Sequence, residues 1–257
     1  MGSYISNFDT TAQFAAFSAT TDFKKPHVVL TKSDRQIRFI DDPCNIHEYV
    51  EIGGVKWATK NIGACTEVDN GLYFQWGDTQ GYAASEVGSG TGKKYFGWAD
   101  YKYSNNGGSR ASDMTKYNST DHLVTLEASD DAAIANWGSE WRMPTTEEFA
   151  ELSAAIDFID SGGTTISDTN KLTTLSGVTG ILVADKNDHS KRLFFPAAGY
   201  CNRGSVYSVG SRGRYWSSSL GTSSVIYGRR LYFNSGGVDW QDSDYRYNGF
   251  AVRPVLA

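Results

Sequence analysis

The groups that most often do chemistry are scattered along this chain. Its four histidines (His27, His47, His122, His189) show no His-Glu-x-x-His or comparable metal-ligand spacing, and each reads as a surface or loop residue. The three cysteines (Cys44, Cys65, Cys201) are far apart, with no Cys-x-x-Cys. That spacing indicates neither a zinc knuckle nor a disulfide framework, and it leaves a single pairing open. Gly88-Ser89-Gly90-Thr91-Gly92-Lys93-Lys94 has the outline of a phosphate loop, but Val87 stands where the first Gly is needed and Lys94 where Ser or Thr is needed. It reads as a flexible loop. No catalytic residue, metal site or cofactor is expected.

Contact chemistry is what remains, and it is concentrated near the C-terminus. From Gly199 onward the chain has no Lys, Glu or Met, although the protein has twelve, nine and three of them. Random placement would leave such a gap on the order of a few times in a thousand. Seven of the twelve arginines lie there with three acids (Asp239, Asp242, Asp244) among many Tyr, Ser and Gly residues. Tyr gives rigid amphipathic area, Ser and Gly give adaptable hydrogen bonding, and Tyr and Arg dominate binding hot spots.

Fixed-looking anchors punctuate this region: Phe195-Pro196-Ala197-Ala198-Gly199-Tyr200, Tyr215-Trp216-Ser217-Ser218-Ser219, Phe233-Asn234-Ser235-Gly236 and Gly249-Phe250-Ala251-Val252-Arg253-Pro254-Val255. With Val55-Lys56-Trp57-Ala58, Leu72-Tyr73-Phe74-Gln75-Trp76-Gly77-Asp78 and Trp141-Arg142-Met143-Pro144-Thr145, they resemble variable proteins of diversity-generating retroelements. The wider resemblance is to the Fibrobacter-type major paralogous domain, a lectin-like domain abundant in gut Bacteroidetes and their phages. It covers about residues 46–257. In that family an error-prone reverse transcriptase mutates adenines, chiefly in Asn codons, and the resulting codons never encode Lys, Glu, Gln, Met or Trp. Trp216, Trp240 and Gln241 would then be scaffold.

The resemblance implies a C-type lectin-like fold of the formylglycine-generating-enzyme-like variant, with a variable region over about 199–255. Candidate ligand-binding positions are Tyr207, Ser208, Arg212, Arg214, Ser224, Ile226, Tyr227, Arg229, Tyr232, Asp239, Asp242, Ser243, Asp244, Tyr245 and Tyr247. Ile226 and Tyr232 could equally be core. Tyr200, Trp216, Phe233, Trp240 and Phe250 are expected to be buried and to hold the backbone. The formylglycine-generating enzymes use paired cysteines, whereas here only Cys201 falls in the corresponding region. Lectin calcium motifs (Glu-Pro-Asn, Gln-Pro-Asp) are absent from all five proline contexts. The implied function is non-catalytic binding of a protein or glycan on a target cell, displayed on a phage tail tip or a bacterial surface. The rival readings are an unvaried lectin-like structural or fimbrial subunit and a formylglycine-type oxidase.

The elements that would position these residues read as α+β. Residues 1–44 form a small N-terminal unit, with a capping box at Thr10-x-x-Gln13 starting a short helix that carries Phe14 and Phe17. A hairpin from His27 to Ile40 through a Ser33-Asp34 turn follows. Forty residues rarely hold a core alone, so the unit is expected to pack on the main domain or to assemble with copies of itself. In the main domain, 45–257, strands flank Gly53-Gly54 and a further aromatic strand spans Gly71–Asp78. Residues 79–125 read as long surface loops. Two helices begin at Asp130 and at Thr145-Thr146-Glu147-Glu148. Short antiparallel strands follow, including Gly180–Ala184 and Arg192–Phe195.

Composition excludes other classes. At 257 residues with 40% hydrophobic and 14% aromatic content the chain can bury a substantial core. A net charge of −5 and arginines interleaved with aspartates do not suit nucleic acid. No apolar run approaches a membrane span, and no signal peptide is visible.

Overall fold

In a computed structural model, the structure describes residues 5–8, 27–31, 37–40 and 43–257. The chain divides into two compact units, residues 1–47 and 48–257. In the first unit β1 (Ile5–Phe8) pairs parallel with β2 (His27–Thr31), which pairs antiparallel with β3 (Ile37–Ile40). The expected hairpin is the β2–β3 pair, and β1 is an addition that the sequence pattern did not show. The proposed helix around Thr10 and the Ser33-Asp34 turn lie outside the described residues.

The second unit opens with the hairpin β4 (Tyr49–Ile52) and β5 (Val55–Ala58). Gly53 and Gly54 both take positive φ, 63° and 80°, as a two-residue hairpin turn requires. After a long irregular stretch come α1 (Ala132–Trp137), β6 (Trp141–Arg142), α2 (Thr146–Ala155), β7 (Ile156–Phe158), β8 (Leu172–Leu175), β9 (Val178–Asp185) and β10 (Asp188–Pro196). Six strands finish the chain: β11 (Tyr200–Asn202), β12 (Ser205–Tyr207), β13 (Gly213–Leu220), β14 (Tyr227–Asn234), β15 (Gly237–Tyr245) and β16 (Val255–Leu256).

This is a β-rich architecture of mostly antiparallel sheets, which corrects the α+β, C-type lectin-like expectation. Both helix signals are real but short-lived. Asp131 caps α1 by accepting from Ala133 and Ile134, and Gly138 at φ 94° stops it after six residues. Thr145 and Glu148 form the capping box of α2, which gives way to β7 after ten residues. The remaining apolar segments are short and rich in β-branched and aromatic residues, which suit pleated, half-buried surfaces. The aromatic segment Gly71–Asp78 forms only isolated bridges, Tyr73 to Tyr82 and Phe74 to Phe250.

The expected surface loops at 79–125 are irregular, yet Phe96, Tyr101, Met114 and Tyr117 inside them are buried. Carboxylates replace ladders as organisers there. Asp100 accepts backbone N–H bonds from Tyr95, Phe96 and Gly97, and Asp121 accepts them from Tyr117, Asn118 and Leu123. Asp130 accepts from Lys102, Lys116 and the Tyr117 hydroxyl.

The sheet β13–β14–β15 lies between two apolar clusters. Tyr215, Leu231 and Phe233 belong to one, with Trp57, Phe149 and Phe195. Trp216 belongs to the other, with Trp76, Met143 and Phe250. The three serines after Trp216 occupy a break in the β13–β14 register and make other bonds instead. The Ser217 carbonyl accepts from Trp76, Ser218 donates to the Pro144 carbonyl, and the Ser219 hydroxyl accepts from Thr146 N–H. At the C-terminus Val255 pairs with both Trp57 and Arg142, which ties the chain end between β5 and β6. Arg253, fully buried beside it, donates to Asn61 and to the carbonyls of Ala58 and Phe194. Burial lowers its pKa to about 10.

Candidate ligand-binding face

Register decides which side chains share a face of β13–β14–β15. Residues directly opposite in an antiparallel ladder point the same way. Tyr232 lies opposite both Arg214 and Asp239, and Arg230 lies opposite Trp216 and Asp242. The Arg214 guanidinium sits 3.6 Å from the centroid of the Tyr200 ring, and Arg230 sits 4.8 Å from that of Tyr232. The arginines are tied to two carboxylates: Arg214 to Asp244 at 3.0 Å, and Arg230 to Asp242 at 2.6 Å and Asp244 at 3.2 Å. Burial, reinforced by the Arg230 charge and opposed by Asp244, lowers the pKa of Arg214.

A second group is aromatic. Tyr227 and Tyr245 pair across β14–β15 with ring centroids 4.9 Å apart, and Tyr245 stacks on Tyr247 at 5.5 Å. Trp98, from the irregular stretch, meets Tyr247 edge-on at 4.8 Å. The two groups join through Asp244, which accepts from Tyr245 N–H and from Asn248. Side-chain contacts run from Tyr207, stacked on Tyr200, through Arg214 to Asp244, and Asp244 reaches the Tyr227–Tyr245 pair only through the Tyr245 backbone, those two tyrosines lying at alternate positions to Asp244 in the ladder.

The candidate positions divide by depth. Tyr207, Arg212, Asp239 and Tyr245 are exposed; Ser208, Ser224, Ile226, Tyr227, Arg229, Tyr232, Asp242, Ser243 and Asp244 are half-buried. Arg214 and Tyr247 are buried, at 9% and 5% exposure, which corrects their placement on an outward face. The stacking on Tyr200 covers the first, and Trp98 together with Tyr245 covers the second. Among the expected scaffold aromatics Trp216, Phe233 and Phe250 are buried, while Tyr200 and Trp240 are half-buried. Arg230, Asn248 and Trp98 went unnoticed in the sequence. Alternation along β14 could have found Arg230, two residues from Tyr232; nothing local pointed to Trp98.

Residues 165–255 match a family described as a domain of unknown function (DUF8237). The matched segment contains every candidate position. No curated protein and no solved structure matches the chain.

No cysteine or histidine is among the contacts that build this region, although Cys201 follows Tyr200 in β11. Cys44 and Cys65 are each in a disulfide, a possibility the sequence had left open. Cys201 is the free thiol; it is buried, and burial alone raises its pKa well above the ordinary value, which keeps it protonated. Among the described residues no three His, Cys, Asp or Glu side chains gather as metal ligands, and no helix is long and apolar enough to cross a membrane.

One strained turn bears on how the region tolerates change. Arg203 and Gly204 join β11 to β12 with φ of 44° and 76°. A turn of this kind favours Asn at its first position, because Asn visits the left-handed region more readily than Arg. Arg203→Asn is expected to raise stability by about 0.5–1 kcal/mol, read by denaturant unfolding. An unchanged or lower midpoint would show that the Arg203 side chain compensates for its backbone.

Proposed function

We propose that this chain is a non-catalytic binding protein whose C-terminal face is diversified and displayed to a cell-surface target, on a phage tail tip or a bacterial surface. One observation carries the reading. The segment without Lys, Glu or Met is the segment that supplies the Tyr, Arg, Asp and Ser candidates of β12–β15, on a framework of buried Trp216, Phe233 and Phe250. A buried framework lets outward positions change identity without unfolding the sheet, since exposed substitutions typically move stability by less than about 0.5 kcal/mol. A lone buried thiol and the scattered histidines supply no convergent reactive set.

The test is binding of the purified protein to panels of intact gut Bacteroidetes cells. A combined Tyr207→Ala, Tyr227→Ala, Asp239→Ala and Tyr245→Ala variant is expected to lose binding about a hundredfold or more, as removal of several hot-spot side chains does. Its melting temperature should stay within a few degrees of the parent. Retained binding by the folded variant contradicts the reading.

A further inference from the structure

β15 ends the sheet β13–β14–β15 on one side, and among the described residues no strand pairs with its outer edge. Register shows which of its N–H groups face outward. Tyr227, opposite Tyr245, spends its N–H on the Ser224 carbonyl and its carbonyl on Gly221 N–H, so neither reaches β15. The Tyr245 N–H therefore points away from the ladder, and by alternation so does that of Ser243, opposite Arg229. A nine-residue strand with such an edge is a ready template for a further strand. Here both outward donors are already taken. Ser243 N–H donates to Asp242 Oδ1 at 2.7 Å, and Tyr245 N–H donates to Asp244 Oδ1 at 2.8 Å. Asp239 accepts from Gln241 N–H at 3.0 Å, and Arg229 donates to the Gln241 carbonyl.

Asp242 and Asp244 are each anchored by the other oxygen. Asp242 Oδ2 accepts from Arg230 at 2.6 Å, and Asp244 Oδ2 accepts from Arg214 at 3.0 Å. Both arginines are buried, so each holds a carboxylate over an edge N–H. That division of labour needs two acceptor oxygens on one short side chain. Asn has one, and a Ser or Thr hydroxyl reaches the N–H without also reaching the guanidinium. Charge adds a second barrier. In an antiparallel pair of two β15 edges centred on Ser243, Asp242 of each copy would lie opposite Asp244 of the other, and like charges directly opposite destabilise a ladder.

We propose that the outer edge of β15 is a latent pairing surface for a second copy of this chain, kept shut by Asp242 and Asp244 on their arginine anchors. The test compares the parent with a combined Asp242→Asn and Asp244→Asn variant by sedimentation over a wide range of concentration. The variant loses the like charges and one acceptor oxygen at each position. It should reach about twice the parent mass, as an isologous pair does. Adding Ser243→Pro removes the central donor of the edge and should return the mass to that of the parent. A folded variant that keeps the parent mass overturns the proposal. So does association that survives Ser243→Pro, or pairing only with an added peptide of unrelated sequence. Near-ultraviolet circular dichroism checks the fold. Should the variant fail to fold, amide exchange in the parent decides. Its Ser243 and Tyr245 N–H groups should exchange about tenfold or more slower than open edge amides, and exchange at the open rate overturns the proposal. None of these readouts involves cells, so the binding-face reading stands or falls separately.

Discussion

Trp216→Ala is expected to lower stability by about 3–5 kcal/mol, the range for emptying a buried aromatic site. Trp216 is fully buried, its ring lies 4.1 Å from that of Phe250, and its indole N–H donates to the Phe74 carbonyl at 2.8 Å. Truncation leaves a cavity between β13 and the C-terminal anchor and removes one of the two hydrogen bonds that the Phe74 carbonyl accepts, the other coming from Phe250 N–H; the lost bond is worth about 0.5–1.5 kcal/mol. For a unit of this size the whole loss corresponds to roughly 10 °C or more in melting temperature. Trp216→Phe, which keeps most of the packing but loses the bond, should cost clearly less. A Trp216→Ala loss under about 1 kcal/mol would mean that the framework behind the binding face is not the rigid support described.

The second large effect is expected at Asp130→Ala, about 3 kcal/mol. This is the low end for breaking a buried ion pair, because both lysines are partly exposed and can rehydrate. Asp130 is the node of the irregular stretch, receiving Lys116 and the Tyr117 hydroxyl at 2.6 Å and Lys102 at 3.1 Å. Burial alone would raise its pKa. Hydrogen bonds from Lys116, Tyr103, Tyr117 and Lys102 outweigh that and hold it well below the usual carboxylate range. Burial and the bond to Asp130 in turn raise Tyr117 to about 12. A carboxylate lowered in the folded state contributes stability that is complete above its unfolded pKa of about 3.9 and fades as pH falls through the folded value. The stability gap between parent and Asp130→Ala should therefore be constant from neutral pH to about 4 and narrow below it. Asp131 acts in the opposite sense: burial raises its pKa, so protonating it relieves a cost. Only the difference between parent and variant isolates Asp130. A gap independent of pH down to about 2 would contradict the node.

What the sequence showed, and what it hid, follows from how local each signal is. The helix starts at Asp131 and Thr145, the Gly53-Gly54 turn and the β2–β3 hairpin rest on neighbouring residues, and all could be read directly. Fold class could not. Two short helices weigh little against strands whose partners lie far along the chain, and β16, which pairs with β5 and β6, carries no local sign of that placement. The candidate face was visible as a compositional gap, but depth was not. Arg214 and Tyr247 have types common on surfaces, and they are buried because Tyr200, Trp98 and Tyr245 cover them from other segments. The irregular stretch hid its order for a related reason. Its carboxylate nodes bond backbone groups at turns, which no hydrophobic period reveals.

Sequencing the locus tests the central claim most directly. A diversified face predicts a near-identical second copy of the segment encoding residues ~199–255, differing only where it has adenines, beside a reverse-transcriptase gene. The differences should fall on codons for positions such as Tyr207, Arg212, Tyr227, Asp239 and Tyr245 and spare Trp216, Trp240, Gln241 and Phe250. A locus with no such copy, or a copy whose differences fall on the buried framework as often as on the face, would contradict the account.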